Sequence, residues 1–252
     1  MNPLLEVKDV CLSYHSLSGE TAALSHISFH LMPEEFLAVV GPSGCGKSTL
    51  LNLICGLLHA ESGTILMNGK PLNKDSARIG YMLQKDHLLE WRSIYRNVLL
   101  GLEIQGELTK DNLSYVDELL KLYELDKFRD SRPSQLSGGM RQRAALIRTL
   151  VLEPDILLLD EPFSALDYQT RLEVSDDIFR IIKEQEKTAL LVTHDISEAI
   201  AMGEQVIVLS SRPASIKNVF DIHLSVDKRT PFSSRTAPEF SAYFHQIWKE
   251  LS

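Results

Sequence analysis

Three short segments carry residue types that could handle a nucleoside polyphosphate. In Gly41-Pro42-Ser43-Gly44-Cys45-Gly46-Lys47-Ser48-Thr49 the glycines let the backbone curl, so that successive N–H groups point inward at an anion. Lys47 is placed to reach the outer phosphates, and the Ser48 hydroxyl to hold Mg²⁺. Downstream, the apolar run Ile156-Leu157-Leu158-Leu159 ends in Asp160 and Glu161. Asp160 would meet the metal through its water shell, and Glu161 would orient or deprotonate an attacking water. Between them lies Leu136-Ser137-Gly138-Gly139-Met140-Arg141-Gln142-Arg143. There a hydroxyl and unshielded N–H groups at a helix start suit a second anion.

Each segment also has a plainer reading. The first is a glycine-rich turn, the second an acidic strand end, and the third a helix capped by Ser137. A strand before the first loop and a helix after it favour the phosphate cradle, and that cradle gives the acids beside it a purpose. Two anion cradles in a chain with one nucleotide remain unexplained by the residues alone.

The elements that must position these groups follow from hydrophobic period. Strands are expected at Leu5–Val10, Ala23–Phe29, Phe36–Val40, Gly63–Met67, Ile79–Leu83, Ile156–Leu159, Ala189–Thr193, Val206–Leu209 and Ile216–Leu224. Helices are expected at Lys47–Gly56, Ile94–Leu102, Asp111–Tyr123, Tyr168–Glu186, Ile196–Met202 and Pro238–Leu251, with 227–236 a polar loop around Pro231. The strand–helix alternation predicts an α/β fold with a mostly parallel sheet. A helical block interrupts it. The expected division is one domain over 1–252: a core of about 1–90 and 155–225, an inserted helical subdomain of about 91–150 and a C-terminal helix near 237–251.

The chain has 252 residues, 44% hydrophobic and 24% charged, with a formal charge of -8. That balance is ordinary for a globular domain and argues against nucleic acid as the main partner. No apolar stretch approaches the roughly 20 residues of a membrane span, and no signal-peptide pattern opens the chain. Cys11, Cys45 and Cys55 show no metal-ligand spacing and read as free thiols. Cys45 reads as a small residue fitting a tight turn.

Taken in order, the three motifs resemble those of ATP-binding cassette (ABC) proteins, along nearly the whole chain. The resemblance implies a P-loop cassette with a mixed sheet core, an N-terminal antiparallel β region and the inserted helical subdomain. It also explains the second cradle: Ser137-Gly138-Gly139 would bind the γ-phosphate of ATP held by a second copy of the chain, so that two chains sandwich two nucleotides. By the same resemblance Gln84 matches a loop glutamine that senses Mg²⁺ and a transmembrane partner. Ser164-Ala165-Leu166-Asp167 matches a loop crossing the dimer interface, and His194 a switch histidine at the γ-phosphate. Tyr14 lies where the family places an aromatic against adenine. ATP and Mg²⁺ are the implied cofactors.

Leu88-Leu89-Glu90-Trp91-Arg92 with Asn97-Val98, and the ending Ile247-Trp248-Lys249-Glu250-Leu251, are similar to the importer ATPases for nitrate, sulfonate, taurine and thiamine precursors. That implies transmembrane permease subunits as partners, an extracytoplasmic substrate-binding protein acting indirectly, and a place on the cytoplasmic side of the membrane. Leu88, Leu89, Trp91 and Tyr95 would either dock the permease or fill the subdomain core. Two positions depart from the pattern. Glu90 replaces a proline, which loosens the loop, and Glu34 replaces a glycine, which would alter a tight turn. The alternatives are the ATPase of an exporter or lipoprotein-release complex, and an ABC ATPase acting outside transport.

Overall fold

The computed structural model describes residues 2–16, 19–72 and 78–252. Apolar runs far apart in sequence line up in a six-stranded sheet. Its strands are β3 (Phe36–Val40), β6 (Ile79–Met82), β7 (Ile156–Asp160), β8 (Thr188–Thr193), β9 (Gln205–Leu209) and β10 (Ile216–Asp221), in the order β10-β9-β3-β8-β7-β6. Only β10 runs antiparallel to its neighbour. A second, antiparallel sheet has the order β2-β1-β4-β5, from β1 (Leu5–Ser16), β2 (Gly19–Leu31), β4 (Ser62–Met67) and β5 (Lys70–Pro71). β1 and β2 run further than hydrophobic pattern predicts, because their polar ends pair outside the core, from Ser13↔Ala22 to Ser16↔Gly19.

Side chains alternate across the six-stranded sheet and so divide the core in two. Leu37, Val39, Ile156 and Leu158 face helix α1 (Lys47–Ile54) and the antiparallel sheet. Phe36, Ala38, Val40, Leu157 and Leu159 face the helices α2 (Ile94–Val98), α3 (Leu100–Gln105), α4 (Lys110–Leu122), α5 (Gly138–Leu150), α6 (Tyr168–Glu184), α7 (Ile196–Met202) and α9 (Phe240–Leu251). β3, β7 and β8 are buried along their whole length, as strands covered on both faces must be.

Register decides where chemistry can occur. Val40 pairs with Thr193, and Asp160 with Val192, so the C-terminal ends of β3, β7 and β8 lie side by side. Ligands of open α/β sheets bind at such ends.

Three expectations need correction. The helix expected over Ile94–Leu102 is divided at Leu99 into α2 and α3. The 227–236 segment is not all loop: Pro231–Ser234 forms a short helix, α8. Thr230 Oγ1 accepts from the Ser233 N–H (3.1 Å), Ser233 Oγ accepts from the Thr230 N–H (2.9 Å), and proline sits in the first turn. Glu34 keeps the turn that a glycine would make, at φ 64°. Its N–H is held by Thr188 Oγ1 at 2.8 Å, which helps offset the roughly 1 kcal/mol that a side chain costs there.

Candidate functional site

The glycine-rich loop leads from the end of β3 into α1. Gly46 stands before the helix at φ 133°, a conformation open to glycine, and a Cβ there would lie 2.9 Å from Leu24 Cδ2 and 3.1 Å from Ala23 O. No side chain caps α1, so its first N–H groups remain for an anion. Lys47 is buried, and its Nζ donates to Gly41 O (2.8 Å) and Pro42 O (3.1 Å). Its ammonium is therefore held over the loop, with one donor left for a phosphate. Cys45 packs its sulfur against Gly41, and burial pushes its thiol pKa up, away from thiolate chemistry. Pro42, Ser43 and Gly44 complete the curve, and the buried Thr49 accepts or donates a 3.0 Å hydrogen bond with Tyr14 Oη. Tyr14 thus stands over the start of α1, partly exposed.

Asp160 ends β7 and is only 8% exposed. Ser48 Oγ donates to its Oδ1 (3.2 Å) and Tyr81 Oη to its Oδ2 (3.2 Å). Burial raises the Asp160 pKa, and these two donors oppose that rise. Tyr81 was not singled out by sequence. Its signal is a phenol in the short strand β6, paired with Leu158 just before the acids. Burial, with the Asp160 charge, raises the Tyr81 pKa and keeps it a donor.

Glu161 leaves the strand at φ 45°, its N–H bound to Val192 O (2.8 Å). Its carboxylate meets two residues from other loops. His194 Nδ1 donates to Oε2 at 3.0 Å, and Gln84 Nε2 approaches the same oxygen at 3.5 Å. Behind them, Glu198 is buried and its pKa is pushed up to about 6 by that burial, although Thr193 Oγ1 donates to it at 2.7 Å. Arg171 of α6 ties the region together: it donates to Leu166 O (3.2 Å) and pairs with Asp195 (3.4 Å) and Glu198 (3.8 Å). Both residues escaped the sequence reading, where they pass for solvated charges on amphipathic helices.

Ser137-Gly138-Gly139 lies elsewhere. Ser137 caps α5 by accepting from the Met140 N–H (3.3 Å), and a Cβ on Gly139 would lie 2.7 Å from Val174 Cγ2. These residues line a cleft of about 440 Å³ with Arg143, Leu166 and Asp167. Asp167 caps α6 through Thr170, which lowers its pKa. Among the described residues, no hydrogen bond or ion pair joins this cleft to the loop around Lys47.

The apolar residues after Gln84 differ in burial. Leu88 is core, Leu89 and Tyr95 are half-buried, Tyr95 lies under Arg129 (4.3 Å), and Trp91 is 72% exposed. The loop is tied despite Glu90. Buried Asn97 accepts from the Leu89 N–H (2.7 Å) and donates to the carbonyls of Leu89, Arg92 and Ser93.

No group of three or more His, Cys, Asp or Glu able to hold a metal occurs among the described residues. Ser48 and Asp160 nonetheless fit Mg²⁺, which takes one or two protein oxygens and completes its shell with water and substrate phosphates.

An uncapped helix under a glycine-rich loop, with paired acids at the end of β7, defines an α/β phosphate-loop ATPase cassette. A family model for the ABC transporter matches residues 24–164. An uncharacterized ABC transporter ATP-binding protein of Bacillus subtilis is 46% identical over 248 residues, 98% of this chain and 95% of that protein. The taurine import ATP-binding protein of Rhizobium johnstonii is 40% identical over 220 residues, 87% and 84% of the two. A dimeric structure of a post-hydrolysis state of the ATP-binding cassette MJ0796 bound to ADP and Pi matches with a TM-score of 0.73 at 30% identity, covering 87% of this chain and 99% of that one. The chain belongs to the ABC transporter family and is one of its ATP-hydrolysing cassettes.

Proposed function

We propose that this cassette energises a membrane importer for a small solute such as nitrate, a sulfonate or taurine. The observation carrying its chemistry is the meeting of Glu161, His194 and Gln84 beside Asp160, Ser48 and Lys47. The α1 N–H groups and Lys47 hold the ATP phosphates, with Tyr14 against the adenine. Ser48, Asp160 and Gln84 would hold Mg²⁺, which would neutralise phosphate charge there. Glu161 accepts a proton from the attacking water, while His194 fixes its carboxylate and reaches the γ-phosphate. Ser137, Gly138, Gly139 and Asp167 serve the nucleotide of a second copy, consistent with their separation from Lys47 in one chain. The helical block of about 91–150 forms an inserted subdomain.

No helix among the described residues is long and apolar enough to cross a membrane. In this reading the chain attaches to the cytoplasmic face through permease subunits, and the substrate-binding protein acts through them. Exposed Trp91 lies beside a cleft of about 580 Å³ with Leu89, Arg92, Arg96 and Arg132, which suits a docking helix. The test is ATP turnover, and nucleotide affinity in Lys47→Ala: unchanged affinity would remove the phosphate-loop assignment. Co-purification with a permease that serves a binding protein checks the importer role, and loss of uptake of one solute on deletion names the cargo.

A further inference from the structure

Asp86 and Arg141 join two segments that the proposed function gives to different nucleotides. Asp86 follows Gln84 by one residue, Lys85, and its two carboxylate oxygens are used separately. Oδ1 accepts from the Leu88 N–H (3.0 Å), closing the local turn, and Oδ2 accepts from Arg141 Nε (3.1 Å). Arg141 lies in the first turn of α5, and its Nη1 donates to Leu136 O (3.2 Å), the residue ahead of Ser137. A second arginine of α5 holds the same turn by its backbone: Arg148 donates to Asp86 O (2.6 Å) and His87 O (2.8 Å).

The chain beyond Asp86 is thus tied to α5, and through Leu89 to Asn97. The chain before it is exposed at Leu83, Gln84 and Lys85. A cleft of about 320 Å³ opens where these parts meet, lined by Lys85, Asp86, Gly138, Arg141 and Leu166.

We propose that Asp86 and Arg141 are a positioning pair that makes the Gln84 loop and the Ser137-Gly138-Gly139 helix start move as one unit. A charge-assisted hydrogen bond is stiff and directional, and α5 transmits displacement along its axis. Movement of Gln84 toward the chain's own nucleotide then shifts the cradle offered to the partner's nucleotide. By linkage the reverse also holds, so the pair couples the two ATP sites. The proposal rests on the two-chain sandwich described above.

The test is a double-mutant cycle on the full chain, with Asp86→Asn, Arg141→Gln and the two combined. Asn at 86 keeps an acceptor for the Leu88 N–H. The measurements are ATPase kcat, KM and Hill coefficient, with ATP affinity of the monomer by equilibrium titration. Each single variant is expected to lose about tenfold in kcat with a Hill coefficient near 1, while monomer ATP affinity stays within about twofold. The double variant is expected to lose no more than either single. A folding defect would lower kcat with cooperativity intact. Retained cooperativity in the single variants, or losses that multiply in the double, overturns the pair alone. A wild-type chain that binds ATP but neither dimerises nor hydrolyses it overturns the sandwich and the pair with it.

Discussion

His194 Nδ1 lies 3.0 Å from Glu161 Oε2, although 33 positions separate the two residues. They follow adjacent strands, β7 and β8, and register alone brings them together. Glu161→Gln keeps the shape of the carboxylate but accepts a proton far less well. ATP binding should persist, turnover should fall by at least about 10²-fold, and ATP without Mg²⁺ should hold a dimer visible by light scattering. Rapid hydrolysis by this variant would remove Glu161 from its role.

Tyr81→Phe tests the donor that sequence did not reveal. The phenol lowers the Asp160 pKa against a rise caused by burial, so its loss should raise that pKa further. The acid limb of the ATPase pH profile should then move to higher pH, with the alkaline limb unchanged. An unmoved acid limb would mean that Asp160 does not govern it.

Glu198→Gln should flatten the pH dependence of stability. The folded pKa of Glu198 is about 6 against 4.5 for the unfolded side chain. The folded state therefore binds more protons in this window, and stability falls as pH rises from 4.5 to about 6. The loss attributable to this group is about 2 kcal/mol. Denaturant unfolding of the wild type and variant, about one pH unit beyond each end of the window, measures it, and parallel curves would deny the shift.

Asn97 and Trp91 should behave oppositely. Asn97→Ala strands the half-buried N–H of Leu89 and three carbonyl contacts, costing about 2–4 kcal/mol by thermal or chemical unfolding. Trp91→Ala, at an exposed site, should change stability by less than about 0.5 kcal/mol. It should uncouple solute uptake while sparing basal ATPase; equal loss of both activities would count against a docking role.

Much of the site is local and therefore legible. The loop around Lys47 needs glycines at fixed positions, so its motif carries its own geometry. The buried strands β3, β7 and β8 read as apolar runs, because both of their faces are covered. Helix α8 was also written locally, in Thr230-Pro231 with Ser233, but its single turn is too short for hydrophobic period to register. Glu34 shows the limit of pattern matching: a glycine position kept its left-handed turn with another residue, because Thr188, from a distant strand, holds the N–H.

The chain by itself determined the phosphate loop, the paired acids, the helix start at Ser137 and the order of strands and helices, since each depends on neighbours within a few residues. Tertiary structure alone decided which polar groups are partners. Ser48 meets Asp160 across 112 positions, Tyr81 meets Asp160 across 79, and Asp86 meets Arg141 across 55. A hydrogen bond needs its atoms within about 3 Å, and over such separations only strand register and helix packing set that distance.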